Sequence, residues 1–114
     1  MDTYRIEDEW TMQEWTLEHL ENEKLNKEKV AFYLYTPFCG TCQVASKMLD
    51  VIVELLPDVS FGKANLNYLP NLAKEYKIES VPCLLIFEHS ELTDKIYAFH
   101  SIPHLLRYLA PPEN

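Results

Sequence analysis

The stretch VAFYLYTPFCGTCQVASKMLDVIVEL, residues 30–55, decides the fold of this chain. Residues 30–35 form an unbroken apolar, aromatic and β-branched run, which predicts a strand buried on both faces, as in the centre of a parallel sheet. The segment TPFCG that follows predicts a turn. Residues 41–56 then space apolar side chains three or four apart, which predicts a helix that ends at Pro57.

The rest of the chain continues the alternation of strands and helices. Upstream, residues 3–8 predict a short edge strand, and residues 11–23 predict a helix that Thr11 and Glu14 open as a capping box. Downstream, the pattern predicts a strand over 59–65, a helix over 70–76, strands over 83–87 and 92–99, and a helix over 102–109. This order predicts an α/β fold, a small mixed sheet with helices on both faces.

Length, composition and charge limit the classes of protein to which the chain can belong. Its 114 residues, 47% apolar and 25% charged, predict a single soluble domain over residues 1–114. The net charge is −8 and no basic cluster is present, which excludes nucleic-acid binding through phosphate contacts. No apolar run approaches the ~18 residues of a membrane helix, and the acidic N-terminus does not resemble a signal peptide. We therefore expect a cytoplasmic monomer that does not bind membranes.

Cys39 and Cys42 lie at the predicted start of the long helix. Backbone N–H groups are unpaired at a helix N-terminus and the helix dipole favours negative charge there, so a Cys39 thiolate would be stabilised. Thiol pKa values at such positions fall from ~8.5 to about 3.5–7.5. Cys42, nearly one turn further on, is close enough to form a disulfide and is more sheltered. This pattern predicts thiol–disulfide exchange in which Cys39 attacks and Cys42 resolves.

Other interpretations of the C-x-x-C pattern stay open. A four-ligand zinc site usually needs a second ligand pair, and the other candidates are Cys83 and the scattered histidines His19, His89, His100 and His104. Zinc or iron–sulfur ligation through the three cysteines is one alternative hypothesis, and two inert core cysteines are another. Cys83, the first residue of a predicted buried strand, is interpreted as a small core residue. The alternative for Cys83 is a third ligand or a second disulfide partner.

Three segments in the right order and spacing resemble the thioredoxin family over most of the chain. Residues 30–55 are similar to its strand, active-site turn and long helix. VSFGKANLN (59–67) resembles its next strand, and AKEYKIESVPCLLIF (73–87) resembles its short helix, proline turn and apolar strand. The resemblance implies a thioredoxin fold and a protein-disulfide oxidoreductase that needs no cofactor. It also implies protein thiols or disulfides as substrates, and a reductase or a small thiol as reductant.

The resemblance assigns roles to individual residues. Cys39 is implied as the nucleophile and Cys42 as the resolving thiol. Pro82 is implied as a cis-proline that faces the two sulfurs, and Val81 as a backbone contact for an extended substrate. Lys63 matches the buried lysine that the family places near the resolving cysteine.

The active-site turn departs from the family pattern. Phe38 stands where thioredoxins usually have tryptophan, which changes the substrate contacts. Gly40 and Thr41 replace a Gly-Pro pair, so Thr41 brings a free N–H and a hydroxyl near Cys39. Glutaredoxins have motifs similar to YTPFC and SVP, but the Gly-Gly-Asp element with which they grip glutathione is missing here.

The buried acid that assists proton transfer in the family is also missing, because Tyr33 occupies its position. Without that acid, Lys63 lacks its usual partner. This departure favours a rival hypothesis, a thioredoxin-like adaptor or thiol sensor with little turnover, which the retained cysteines and Pro82 oppose. A family glycine in a later loop is replaced by His100 or Ser101.

Overall fold

The structure is a computed structural model and describes residues 12–111. Its strands are β1 (Gln13–Glu14), β2 (Lys29–Tyr35), β3 (Ser60–Asn65), β4 (Cys83–Glu88) and β5 (Glu91–Ile96). Its α-helices are α1 (Leu17–Asn26), α2 (Gly40–Leu55), α3 (Pro70–Glu75) and α4 (Ile102–Leu109), and a 3₁₀ turn (Leu66–Tyr68) lies between β3 and α3. The predicted elements downstream of α1 are confirmed, with ends that shift by up to three residues.

The five strands form one mixed sheet in the order β1-β3-β2-β4-β5. Strand β3 pairs in parallel with β1 and β2, whereas β4 pairs antiparallel with β2 and β5. The central position of β2 explains its continuous apolar run, because a strand between two neighbours that is covered on both faces has no solvent side. The predicted α/β thioredoxin fold is confirmed.

Helices cover both faces of the sheet and create two cores. On one face, α2 and α4 pack on strand side chains; this α2 face includes Tyr33, Ala45, Leu49, Leu84, Ile86 and Leu105. On the other face, α1 and α3 pack on the alternate strand residues; this α1 face includes Leu20, Phe32, Leu34, Leu72, Cys83 and Phe87. Successive residues of a strand point to opposite faces, so neighbouring β2 residues belong to different cores.

Trp15 closes the α1 face at the edge near β1. Its indole lies directly over Gly62, where an added Cβ would be 1.9 Å from the ring atom Cδ2. The ring also stacks on Phe32, with 5.8 Å between centroids. Gly62 is therefore required by close approach of an aromatic side chain to the backbone of β3.

The predicted helix over 11–23 is wrong at its start. Gln13 and Glu14 form strand β1, and α1 begins only at Leu17, with the Thr16 hydroxyl accepting from the His19 N–H at 3.0 Å. The Trp15 N–H donates to the Lys63 carbonyl at 2.9 Å, which fixes this segment as a strand against β3. Tertiary contacts thus override the local helical pattern. Thr11 and the predicted strand over 3–8 lie outside the described residues, as do parts of the predicted domain 1–114.

Candidate active site

Cys39 and Cys42 meet where β2 turns into α2. Cys39 is the N-cap of α2, and its Sγ accepts a hydrogen bond from the Cys42 N–H at 3.2 Å. The two residues are joined by a disulfide, with 5.2 Å between their Cα atoms. The predicted pair is therefore brought together, and a sulfur at the N-cap receives the backbone N–H that a thiolate would need.

The two sulfurs differ in access. Cys42 is buried, whereas Cys39 is half-exposed at the surface of the turn. The Thr41 hydroxyl lies 3.4 Å from the Cys39 Sγ, as the sequence predicted. A Cβ added at Gly40 would meet no atom within 4 Å, so the space above the first helical turn is open. A partner disulfide can thus reach Cys39 first.

A surface depression of about 260 Å³ lies beside the disulfide. Its lining includes the predicted residues Phe38, Cys39, Cys42 and Lys63, together with Tyr33 and Ser46. The depression therefore unites the C-x-x-C turn with a strand residue of β3 that is distant in sequence. Of the two cysteines that line it, Cys39 is the more exposed.

Phe38 has an unusual backbone and a fully exposed ring. Its φ is 62°, in the left-handed region that few non-glycine residues adopt. The exposed fraction of its side chain is 103%, so the ring is not packed into the hydrophobic core. A large apolar ring held out beside the nucleophile is suited to contact with another protein.

Val81 and Pro82 precede β4, and the peptide bond between them is cis, as the resemblance implied. Both side chains are half-buried. The next residue, Cys83, pairs with Leu34 near the end of β2, so this loop lies close to the end of β2 from which the active-site turn departs. Neither Val81 nor Pro82 lines the depression.

Tyr33 fills the position of the missing acid. Its hydroxyl donates a hydrogen bond of 2.6 Å to the Cys42 carbonyl, and the side chain is 1% exposed. Burial raises the pKa of Tyr33 far above its usual value, with smaller contributions from Tyr35 and Asp50. Tyr33 is thus a neutral core residue with a satisfied hydroxyl, which ties β2 to the first turn of α2.

Lys63 lies on the same sheet face as Tyr33, its register partner in β2. Its Nζ is 5.9 Å from the centroid of the Tyr35 ring. The Tyr35 hydroxyl in turn donates to a Glu14 carboxylate oxygen. Burial raises the pKa of Tyr35 to about 12, and the bond to Glu14 adds to that shift.

Asp50 is a residue near this site that the sequence analysis missed. It is half-buried on α2, and burial raises the pKa of its carboxyl while Lys63 opposes that shift. A helical count from Cys42 was the available signal, because Asp50 follows Cys42 by eight residues, about two turns, and shares its helix face. The family's partner for Lys63 is absent from β2, but this acid is present on α2.

Cys83 lies apart from this chemistry. It is fully buried in the α1-face core, and burial raises the pKa of its thiol to about 12, so the interpretation as a core residue is confirmed. Within residues 12–111, no three His, Cys, Asp or Glu side chains are grouped to hold a metal ion. Across the same range, no helix has the length and apolarity needed to span a bilayer.

The backbone conformations of His100 and Ser101 show which of them stands at the position of the family's loop glycine. His100 has a φ of 58°, the left-handed conformation that glycine favours, whereas Ser101 is the extended N-cap of α4. The Ser101 hydroxyl accepts from the His104 N–H at 3.2 Å. His100 is exposed just before the helix and packs edge-on against the His104 ring, with 4.7 Å between centroids.

Comparison with known proteins agrees with this geometry. The sequence profile of the thioredoxin family matches residues 11–110. The thioredoxin-like protein YusE of Bacillus subtilis (strain 168) is 60% identical over 73 residues, which cover 64% of this chain and 69% of YusE. The thioredoxin of Porphyra purpurea is 35% identical over 63 residues, which cover 54% of this chain and 59% of that protein.

Solved structures show the same fold. A mutant thioredoxin from Halobacterium salinarum NRC-1 superposes with a TM-score of 0.75 at 19% identity. The matched region covers 86% of this chain and 85% of that thioredoxin. Oxidized mitochondrial thioredoxin 3 from Saccharomyces cerevisiae superposes with a TM-score of 0.69 at 26% identity. The matched region covers 75% of this chain and 81% of that thioredoxin. With its profile match, its fold and its Cys39–Cys42 pair, the chain belongs to the thioredoxin family of thiol–disulfide oxidoreductases.

Proposed function

We propose that this oxidoreductase reduces disulfide bonds in protein substrates, with Cys39 as the attacking thiolate and Cys42 as the resolving thiol. One observation carries the assignment of roles. The half-exposed Cys39 is the N-cap of α2 and accepts the Cys42 N–H, whereas Cys42 is buried one turn further on. An incoming disulfide reaches the stabilised sulfur first, and the sheltered sulfur can only complete the exchange.

The cycle has two displacement steps. The Cys39 thiolate attacks one substrate sulfur, the substrate disulfide breaks, and the departing sulfur leaves as a thiolate that takes a proton from solvent. Cys42 then loses its proton and attacks the Cys39 sulfur. The Cys39–Cys42 disulfide forms, the mixed disulfide breaks, and the substrate leaves with two electrons gained. A reductase or a small thiol supplies two electrons to restore the dithiol.

The surroundings of the pair suit an extended protein segment. We assign Phe38 as an apolar contact and the Val81–Pro82 segment as a backbone contact, because both lie near the end of β2 from which Cys39 emerges. The space around Gly40 is open, and the Thr41 hydroxyl is near enough to Cys39 to interact with a thiolate. We further propose that the protein acts as a monomer in the cytoplasm, because a dithiol that must be reduced to act suits a reducing compartment.

Reduction of insulin by dithiothreitol, followed as turbidity, tests this proposal. We expect the wild type to accelerate precipitation well above the dithiothreitol background, and Cys39→Ser to return the rate to that background. Cys83→Ser is the matched control, since it removes a thiol in the core on the other sheet face. A wild-type rate equal to the background would contradict the proposal and favour a binding or sensor role.

A further inference from the structure

The four histidines of the chain lie in two kinds of surroundings. His19 and His89 each lie beside one glutamate, with 3.7 Å and 3.6 Å from their Nε2 atoms to a carboxylate oxygen. His100 and His104 lie instead beside each other, with 4.7 Å between ring centroids and 88° between ring planes. Over residues 12–111, no hydrogen bond or ion pair joins a ring nitrogen of either one to another group. The pair therefore presents two imidazoles whose nitrogens have no partner within the fold.

The backbone holds both histidines at the start of α4. The His104 N–H donates to the Ser101 hydroxyl at 3.2 Å, and the half-buried His104 ring packs edge-on against Tyr108, with 5.5 Å between centroids. His100 is exposed just before the helix, with a φ of 58°. Glycine adopts this left-handed conformation without a steric penalty, so the chain carries an imidazole where glycine would be less strained.

The spacing of the two rings fits chelation of a single metal ion. Metal–nitrogen bonds of about 2.0–2.1 Å that meet at about 90–110° place the two ring centroids about 4.5–5.2 Å apart. The observed separation of 4.7 Å lies in that range. Because the rings stand edge to face, one of them has to turn before both nitrogens can meet the ion. His100 is the ring that can turn, since it is exposed whereas His104 packs against Tyr108.

We propose that His100 and His104 form a binding site for one late transition-metal ion of the class of Ni²⁺, Cu²⁺ or Zn²⁺. Imidazole nitrogen is a preferred ligand of these ions, whereas Mg²⁺ and Ca²⁺ prefer oxygen ligands. In the part of the chain that the structure describes, no third His, Cys, Asp or Glu side chain joins the pair, so water completes the coordination. The net charge of −8 also favours a cation at the surface.

The site lies at the same end of the sheet as the active-site turn. Strand β5 ends at Ile96, which pairs with Leu84, two residues after Pro82. The chain from Ile96 to His100 therefore leaves the sheet at the end where the cis-proline loop enters it, which is also the end of β2 from which Cys39 emerges. A bound ion adds positive charge at the end of the sheet that a substrate approaches.

Calorimetric titration of the tag-free, oxidised protein with Ni²⁺ tests this site. In the oxidised protein Cys39 and Cys42 are joined and Cys83 is buried, so no accessible thiolate competes for the ion. We expect binding at least about tenfold weaker in His100→Gly and in His104→Phe, because two imidazoles on one surface raise the effective ligand concentration around the ion. The double variant should bind no more weakly than either single variant, since each change alone removes the chelate.

The variants are chosen so that the fold is kept. His100→Gly supplies the residue best suited to a φ of 58°, so it should be at least as stable as the wild type. His104→Phe keeps a ring against Tyr108 and the backbone N–H that caps the helix. His19→Ala and His89→Ala are the matched controls, because each removes an imidazole that lies beside a glutamate, and both should leave the Ni²⁺ affinity unchanged.

Proton NMR gives a measurement that needs no variant. Octahedral Ni²⁺ is paramagnetic, so a substoichiometric amount should broaden the ring signals of His100 and His104 and leave those of His19 and His89 sharp.

Several outcomes would overturn the inference. One is the absence of saturable Ni²⁺ binding to the wild type below about 1 mM, and another is an unchanged affinity in His100→Gly or in His104→Phe. A loss confined to His19→Ala would assign the ion to His19 and Glu23 instead. Equal binding of Mg²⁺ would assign it to the acidic surface as a whole. The protein stays oxidised throughout, so none of these outcomes depends on thiol–disulfide exchange.

Discussion

Cys42 and Cys83 are both buried cysteines, yet they lie on opposite faces of one sheet and in different chemical surroundings. Cys42 sits in the first turn of α2, near a hydroxyl, a lysine and an open depression. Cys83 is enclosed by apolar side chains of the α1 face, where burial raises the pKa of its thiol to about 12. The comparison shows that the helix start and the polar neighbours, rather than burial alone, decide where thiol chemistry occurs.

The two faces also differ in how completely they are filled. On the α1 face, Trp15 leaves no room for a Cβ on Gly62, whereas at the start of α2 a Cβ on Gly40 would meet open space. A reactive site needs access for a substrate, and a structural core needs none. The same sheet therefore carries a closed face and a face with an open end.

The largest expected effect concerns alkylation of the reduced protein with iodoacetamide. Cys83 has no exposed surface and burial raises the pKa of its thiol to about 12, so we expect Cys39 to react at least about a thousandfold faster at pH 7. Mass spectrometry of each cysteine peptide measures the rates, and labelling in denaturant is the control. Similar rates in the folded protein would erase the contrast between the two faces.

Gly62→Ala tests the closed face. The new methyl would overlap the Trp15 ring, which cannot move without losing its stacking on Phe32, so we expect a loss of about 3 kcal/mol in unfolding free energy. Gly40→Ala is the control, and its stability should stay within about 1 kcal/mol of the wild type, in the stabilising direction. Urea denaturation measures both. Equal losses would show that the two faces are packed alike.

Tyr33→Phe tests the hydrogen bond that distinguishes the α2 face. Without the hydroxyl, the buried Cys42 carbonyl loses its side-chain donor, and we expect a loss of about 1–2 kcal/mol. Tyr97→Phe is the control. Its hydroxyl accepts from the exposed Glu79 N–H and donates to the exposed Lys77 carbonyl, and water can replace both bonds, so we expect a change of about 0.5 kcal/mol or less. Thermal denaturation of the oxidised proteins compares them. A Tyr33→Phe variant as stable as Tyr97→Phe would mean that the bond from Tyr33 to the Cys42 carbonyl does not contribute to the stability of the fold.

The smallest effect is expected far from the active site, at the end of β2 opposite to Cys39. The Lys29 ammonium, 2.8 Å from a Glu88 oxygen, lowers the pKa of that carboxyl. Because the pKa of Glu88 is lower in the folded state, the ionised carboxylate stabilises the fold at pH values above the unfolded-state pKa of 4.5. This stabilisation is lost as pH falls through the folded-state pKa. Glu88→Gln should therefore lower stability slightly at pH 7, and urea denaturation should show the difference shrinking as pH falls below 4.5. A large change at pH 7 would contradict the expectation for a pair whose carboxylate side chain is 44% exposed.

Local patterns were sufficient for most of the fold. The apolar run of β2 and the amphipathic spacing of α2 placed both elements, because burial on two faces and burial on one stripe leave different periodicities. Those elements in turn placed Cys39 at a helix start. The segment before α1 was predicted wrongly, since Trp15 is held by Gly62 and by the Lys63 carbonyl, about fifty residues later in the sequence.

The sequence by itself determined the redox pair and the cis-proline loop, because each depends on a short segment or on a resemblance carried by short motifs. Only the tertiary structure decided which groups surround Cys42. The Tyr33 hydroxyl reaches the Cys42 carbonyl, and Lys63 of β3 lines the same depression as Cys42, through packing of α2 on the sheet. Contacts of this kind depend on how two elements pack against each other, so the sequence pattern of either element alone does not predict them.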